Sequence, residues 1–302
     1  MYYRTVYLPI TFSLPVTLSM PGAFLFKHVI GKEFRRQFCT MRGYTCLLCP
    51  SNADCVYGSV FEPVVAIWNA ALKGKESAMQ PVIMETSPFV PQEAMRVRLK
   101  ITFIGSAIQH IPRFYSVLKM REDAPLFKTK ATYTVNGLTD GEKSLLNGGE
   151  VNMDIDNSVW EYVPEPPVSD AQSVLVQTQT PLRFRGCGRY TDEFSAKNFM
   201  NCLHKRMQTL VTQYGSNDFE RNYTISRKTK IMERDYVWVD LDHYSTRQRK
   251  VIQLGGNTGS FRIEGVFTGY ETAMFRFTEV FHAGEQTSSG LGRLRVSEES
   301  IA

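Results

Sequence analysis

The sequence predicts an α+β protein with two similar domains in tandem, each an antiparallel sheet with helices on one face. The chain has 302 residues, which is enough for two ordinary domains. Strand-like and helix-like segments follow the same order in both halves of the chain. With 43% hydrophobic and 22% charged residues, the composition is that of a globular protein and excludes disordered, coiled-coil and collagen-like chains.

The first half shows the order strand, helix, strand, helix, strand. Apolar residues alternate with polar ones near the N-terminus, as in a strand with one buried face: Val6, Leu8, Ile10, Phe12 and Leu14. Helical spacing predicts a helix over 23–38, followed by a strand over 96–105, a helix over 109–121 and a strand over 127–135. This order predicts a ferredoxin-like (RRM-like) domain over 1–135.

The alternation near the N-terminus also bears on location. A secretory signal peptide has an apolar region without such alternation, so these residues favour a strand. No apolar run reaches the length of a membrane span. We therefore expect a cytoplasmic protein with no membrane partner.

An acidic segment separates the two halves. Between residues 121 and 170 there are ten acidic and four basic residues, so this stretch carries −6 while the other 252 residues carry +11 of the net +5. The part from 136 to 170 is rich in Gly, Asn and Pro, which predicts an insertion and linker. A basic surplus elsewhere favours a polyanionic partner.

The second half, 171–302, predicts another ferredoxin-like domain. A strand is expected over 174–184, helices over 192–214, 217–232 and 272–281, and strands over 236–241, 260–267 and 293–296. A glycine-rich loop over 284–292 precedes the last strand. Its glycines Gly284, Gly290 and Gly292 either let backbone N–H groups approach a phosphate or form a tight helix-to-strand connection.

Four of the six cysteines lie in the loop 39–55: Cys39, Cys46, Cys49 and Cys55. Thiolates at this spacing predict a structural zinc site, and the alternative is a set of reduced cysteines on a long loop. The sequence has no P-loop, no His-Glu-x-x-His motif and no dinucleotide-binding motif.

Basic residues cluster at three places, around the first helix, near 183–189, and over 227–250, with aromatic residues between them. Such clusters are either solvated faces or parts of a nucleic-acid groove. We interpret them as a groove, with these binding residues: Lys27, Arg36, Arg183, Arg185, Arg189, Tyr244, Arg247, Arg249, Lys250, Gly284, Ser289, Gly290 and Gly292.

Several ordered segments resemble the pre-crRNA processing endoribonucleases of the RAMP superfamily, which act in CRISPR systems. The segments are 281–293 (FHAGEQTSSGLGR), 180–185 (TPLRFR), 242–248 (DHYSTRQ), 254–259 (LGGNTG) and, in the first half, 55–62 (CVYGSVFE). The resemblance covers most of the chain and is weakest over 136–170. It implies two ferredoxin-like folds, in agreement with the pattern above.

The resemblance also implies an activity and partners. We expect the protein to cleave CRISPR repeat RNA that is folded as a hairpin, without a metal or other catalytic cofactor. The ribose 2′-hydroxyl would attack the adjacent phosphate and leave a 2′,3′-cyclic phosphate. The protein would then remain bound to the mature crRNA with other subunits of an effector complex. The alternatives are a RAMP subunit that binds crRNA without cutting it, and a zinc-stabilised scaffold protein without an RNA role.

Histidine suits proton transfer because its pKa lies near neutrality. His28 is the first candidate, because helical spacing places it on the solvent-facing side of the first helix with Lys32 and Arg35. The alternative is an ordinary surface histidine on a basic helix. His282, just before the glycine-rich loop, is the second candidate, and its alternative is a structural histidine at a helix C-terminus.

Overall fold

The computed structural model describes the chain except for residues 18–20, 53, 66–76, 90–92, 127–128, 164–171, 187, 191, 216–218, 220–221, 227, 246–249 and 301–302. The chain divides into two compact units. The first contains 1–159 and 211–218, and the second contains 160–210 and 219–302. No helix in the described part of the chain combines the length and the apolar character needed to cross a membrane.

The first unit is a ferredoxin-like sheet with helices on one face. Its elements in chain order are β1 (Tyr2–Thr17), α1 (Gly22–Phe38), α2 (Val56–Phe61), β2 (Val82–Ser87), β3 (Glu93–Ile104), α3 (Ile111–Met120), β4 (Tyr133–Val135), β5 (Leu146–Asn147), β6 (Glu150–Val151) and β7 (Ser158–Val159). The sheet order is β2-β3-β1-β4, all pairs are antiparallel, and β7 also pairs with β1.

The core of the first unit lies between the sheet and helices α1 and α3. The alternating residues of β1 from Val6 to Phe12 point to it, as the sequence predicts, whereas Leu14 is exposed because the strand register shifts after Thr11. On α1 the residues Ala23, Phe26, Ile30 and Phe34 are fully buried. Aromatic rings pack within this core, where the Phe34 and Phe114 ring centroids are 4.7 Å apart. Burial of such aromatic side chains stabilises the unit by about 2 kcal/mol each.

The second unit repeats the same topology. Its elements are β8 (Gln172–Thr178), β9 (Arg185–Gly186), β10 (Arg189–Tyr190), α4 (Ala196–Tyr214), β11 (Lys230–Val239), β12 (Asp242–Ser245), β13 (Lys250–Gln253), β14 (Gly256–Gly265), α5 (Gly269–Phe281) and β15 (Leu294–Ser300). The sheet order is β11-β14-β8-β15. Two hairpins, β9–β10 and β12–β13, stand outside the sheet. The predicted α+β class with two ferredoxin-like sheets is confirmed.

Several segments differ from the prediction. The helix expected over 217–232 is wrong: the described residues 222–226 are not helical, and β11 begins at Lys230. The strand expected over 174–184 ends at Thr178, and β2 has no counterpart in the prediction. In the segment expected as an insertion and linker, 136–170, β5 and β6 form a hairpin, and Leu138 and Leu145 are buried in the core of the first unit. In the sequence, the excess of basic residues lies outside the acidic segment 121–170.

Candidate functional site

The basic face of α1 carries three of the four residues expected to act in catalysis. His28, Lys32 and Arg35 follow one another at intervals of four and three residues, which places them on one side of the helix. Lys32 and Arg35 are exposed, and His28 is partly buried. The helix thus presents an imidazole and two cationic groups along a single line.

His28 is biased toward its neutral form. Burial and then the charge of Lys32 lower the pKa of the imidazole below its ordinary value. A neutral imidazole at physiological pH has a nitrogen that can accept a proton. His28 is therefore suited to the role of a general base.

Lys27, the neighbour of His28, was predicted to hold RNA by its charge. Burial lowers the pKa of its amine to about 7, so a sizeable fraction of Lys27 is uncharged at neutral pH. This lowered pKa weakens Lys27 as a charged contact to phosphate.

The two arginines of α1 differ in their surroundings. The Arg35 guanidinium lies 5.8 Å from the centroid of the Tyr57 ring, whose hydroxyl donates a 2.9 Å hydrogen bond to Glu62. Arg36 forms an ion pair of 2.7 Å with Glu33, which is buried. Arg35 therefore keeps its charge available, whereas part of the Arg36 charge is neutralised.

Two other residues of α1, which helical spacing places on the same side as His28, pack against the protein. A side-chain carbon at Gly31 would lie 3.3 Å from the Phe61 ring, so this glycine allows α1 to pack on α2. Phe24 is buried.

The four cysteines of the loop 39–55 are not arranged as a zinc site. Among the described residues, no group of three or more His, Cys, Asp or Glu side chains could hold a metal ion. Cys55 Sγ accepts a hydrogen bond from Gly58 N and caps α2. Burial and Glu62 raise the pKa of the Cys46 thiol to about 12. The geometry of Cys39, Cys46, Cys49 and Cys55 therefore does not fit the predicted structural zinc.

In the second unit, the glycine-rich loop is held against the segment that precedes β9. Thr180 Oγ1 donates to the carbonyl of Gly290 at 2.7 Å, and Gly292 N donates to the carbonyl of Pro181 at 3.0 Å. Gly290 N donates within the loop to the carbonyl of Thr287. Gly284 N hydrogen-bonds to Cys202.

These contacts decide between the two roles considered for the loop glycines. Gly284, Gly290 and Gly292 all have positive φ, and a side-chain carbon at Gly284 or Gly292 would collide with a backbone carbonyl. Their N–H groups already have partners inside the protein. The expectation that they contact phosphate is wrong, and the tight connection is the role that the structure supports. Ser289 is likewise buried, and its N–H donates to the carbonyl of Gln286.

His282 is not placed for acid–base catalysis. Its side chain is completely buried, and Nδ1 donates a 3.0 Å hydrogen bond to the carbonyl of Leu291. A general acid or base must reach the proton that it transfers. The expectation of a catalytic role for His282 is wrong, and the alternative of a structural histidine fits its position.

Arg183 and Arg185 have different roles although they are two residues apart. Arg183 is buried, donates to the carbonyl of Gly255 at 2.7 Å, and stacks at 3.5 Å from the centroid of the Tyr190 ring. Arg185 is exposed and lies 3.5 Å from Glu285, which also accepts a 2.5 Å hydrogen bond from the Tyr190 hydroxyl. Arg183 is therefore structural, against expectation, and Arg185 remains accessible.

The other predicted RNA-binding residues lie on the two hairpins. Arg189 is exposed on β10, opposite Gly186 of β9. Tyr244 lies on β12 and Lys250 on β13, where their backbones pair with the neighbouring strand. Arg247 and Arg249 lie outside the described residues.

Comparison with known proteins adds family information to this geometry. Residues 3–157, just over half of the chain, match the model of a family described as an N-terminal domain (AF_1859_N). Residues 176–294 match the model described as CRISPR-associated endoribonuclease Cas6. A search of curated proteins finds no match.

Solved structures with the same fold extend over the whole chain. A Cas6 product complex superposes with a TM-score of 0.52 at 13% identity, covering 98% of this chain and 100% of that one. Cas6 of Thermus thermophilus gives 0.53 at 13% identity and 98% coverage of both chains. A chain of a partial Cas6-RT-Cas1–Cas2 complex gives 0.54 at 12% identity, covering all of this chain and 47% of that one. At such identities these structures show a shared fold.

Proposed function

This chain belongs to the Cas6 family of CRISPR-associated endoribonucleases through its second half and to the AF_1859_N family through its first, and from this membership we propose how it processes CRISPR repeat RNA. The chain is an RNA-cleaving enzyme of the RAMP fold. We propose that cleavage requires no metal ion, that the nucleophile is the ribose 2′-hydroxyl next to the scissile phosphate, and that α1 carries the catalytic groups.

The observation that carries this proposal is the position of His28 on the same side of α1 as the exposed Lys32 and Arg35. The imidazole of His28 accepts the proton of the 2′-hydroxyl while O2′ attacks the phosphorus, forming the O2′–P bond as the P–O5′ bond breaks. The 5′ oxygen leaves as a hydroxyl after it takes a proton, and the products are a 2′,3′-cyclic phosphate and a 5′-hydroxyl end. No water is consumed in this step.

The neighbouring cations complete the chemistry. Lys32 and Arg35 stabilise the negative charge that develops on the phosphorane, since both are exposed on the same side of α1 as His28. Solvent water can donate the proton that the 5′ oxygen takes, and the protonated imidazole of His28 returns its proton to the solvent. RNA itself supplies the nucleophile, so the protein contributes alignment, proton transfer and charge.

We further propose that the protein stays bound to the mature crRNA through its basic residues, as one subunit of an effector complex in the cytoplasm. A duplex stem would be held by its backbone and shape rather than by its sequence. Exposed Arg185 and Arg189 support this contact in the second unit.

The test is cleavage of a repeat RNA in EDTA, with identification of the product ends. We expect His28→Ala to reduce the cleavage rate by about a hundredfold or more and to leave repeat binding nearly unchanged. Gln37→Ala, a change of an exposed residue on the same helix, is the matched control. Unchanged cleavage in His28→Ala would remove His28 from the mechanism. Binding without cleavage by the unaltered chain would instead identify it as a non-catalytic crRNA-binding subunit.

A further inference from the structure

A cavity of about 730 Å³ lies in the second unit. It is formed by the N-terminal end of α4, the segment 223–226 and the beginning of β11. Its size falls within the range of roughly 300 to 1,000 Å³ that is typical of small-molecule sites. None of the residues proposed for cleavage lines it.

The lining of the cavity is cationic. It contains Lys197, Lys230 and Arg234 and no acidic side chain. In the described part of the chain, neither lysine has a carboxylate within 4.0 Å. Glu264 is opposite Lys230 in the strand pair but does not line the cavity. The cavity therefore presents a net positive charge to a ligand.

The end of α4 adds to this charge. Ser195 caps the helix, because its Oγ accepts a 3.2 Å hydrogen bond from Asn198 N. The first turn contains no acidic residue. Both Ser195 and Asn201 line the cavity. A capped helix N-terminus contributes partial positive charge, which favours an anion.

One wall of the cavity is suited to a planar ring. Tyr223 lines the cavity beside Ile225. The tyrosine is fixed in place, because its hydroxyl donates a 2.9 Å hydrogen bond to Glu271 and its ring lies 5.0 Å from the ring of His204. Nucleobases stack on such fixed aromatic surfaces.

We propose that this cavity is a nucleotide site, in which Lys197 and Lys230 bind a phosphate group while the base lies against Tyr223. The phosphate belongs either to a free mononucleotide or to one nucleotide of a bound RNA strand. Only the second source rests on the proposed function. In both cases the site is separate from the cleavage chemistry assigned to α1.

The experiment measures binding of adenosine 5′-monophosphate, and of adenosine for comparison, by titration calorimetry without RNA. We expect the double variant Lys197→Ala/Lys230→Ala to weaken monophosphate binding by about tenfold or more, because each lysine provides a charge-assisted hydrogen bond. Lys205→Ala, an exposed lysine of the same helix outside the cavity, controls for general charge effects.

The two sources of phosphate give different results. If RNA occupies the site, the double variant also binds repeat RNA more weakly than Lys205→Ala, and the monophosphate competes with RNA. If the ligand is a free nucleotide, RNA affinity falls equally in both variants. Equal binding of adenosine and its monophosphate would overturn the proposal. The proposal would also be overturned if the monophosphate does not bind and the RNA affinities of the double variant and of Lys205→Ala fall equally. Because monophosphate binding is measured without RNA, failure of the His28 cleavage mechanism would leave this result unaffected.

Discussion

Nδ1 of His282 donates a hydrogen bond to the carbonyl oxygen of Leu291, 3.0 Å away, and both side chains are completely buried. The two residues lie at opposite ends of the glycine-rich loop. The bond therefore closes the loop upon itself, and the neighbouring bond from Ala283 N to the carbonyl of Gly292 at 2.8 Å reinforces the closure. The shape of this loop depends on a histidine that the sequence suggested for catalysis.

We expect His282→Ala to lower the free energy of unfolding by about 1–3 kcal/mol, because it leaves the buried carbonyl of Leu291 without its donor. His282→Asn should lose less, since asparagine tolerates the positive φ of this position and keeps a donor. Thermal denaturation of the three proteins provides the measurement. Full stability of His282→Ala combined with loss of cleavage would restore a catalytic role for His282.

Arg183 and Arg185 should respond differently to the same substitution. Arg183→Ala removes a buried hydrogen bond to Gly255 and should cost about 2 kcal/mol of stability. Arg185→Ala should change the free energy of unfolding by less than about 0.5 kcal/mol. It should weaken repeat binding and reduce the salt dependence of binding by the amount expected for the loss of about one phosphate contact. Gel shifts at several salt concentrations, with unfolding curves, separate the two effects.

A third variant checks the role of the acidic neighbour. Glu285→Gln removes the negative charge that lies 3.5 Å from Arg185, so we expect it to bind repeat RNA more tightly than the unaltered protein. Equal affinity in Arg185→Ala and the unaltered protein would show that the exposed arginine does not contact RNA.

Elements with a regular hydrophobic period could be predicted from the sequence. The burial of Phe26, Ile30 and Phe34 on α1 follows directly from their helical spacing, because that spacing fixes which side faces the sheet. The strand β11 shows no such period, since it is an edge strand that is exposed along most of its length. The polar residues at the start of β11 therefore fall within the helix that the sequence predicts over 217–232.

The functional residues that the sequence placed wrongly depend on contacts between distant parts of the chain. Arg183 is structural because it meets a carbonyl 72 residues away. The face of α1 could be predicted because His28 and Lys32 are related by local helical geometry alone. The low pKa of Lys27, in contrast, depends on what covers the helix, which spacing does not reveal.

His110 should make the chain less stable in acid. This histidine is 6% exposed, and burial together with Arg113 lowers its pKa to about 4. The unfolded chain binds a proton near pH 6.5 while the folded one does not, so this contribution to stability is present above pH 6.5 and is lost as the pH falls toward 4. We expect a loss of about 2 kcal/mol between pH 7 and pH 5 from this residue.

Urea denaturation followed by circular dichroism at the two pH values measures the loss. His110→Gln keeps an acceptor for the 3.0 Å hydrogen bond from Arg113 but has no group that titrates in this range. The difference in stability between pH 7 and pH 5 should therefore be smaller by about 2 kcal/mol in the variant. An identical difference in both proteins would contradict the assignment, whatever the stability of the variant at pH 7.

The coupling between Lys32 and His28 gives the last prediction, which concerns the pH dependence of cleavage. The charge of Lys32 disfavours the protonated imidazole, so Lys32→Gln should raise the pKa of His28. If His28 is the general base, the rate falls as the imidazole becomes protonated, and the acidic limb of the pH–rate profile should move to higher pH. Lys119→Ala, on α3 and paired with Glu122 at 2.7 Å, should leave the limb in place. A lower rate in Lys32→Gln without movement of the limb would mean that Lys32 acts on the phosphate alone and that the base is another group.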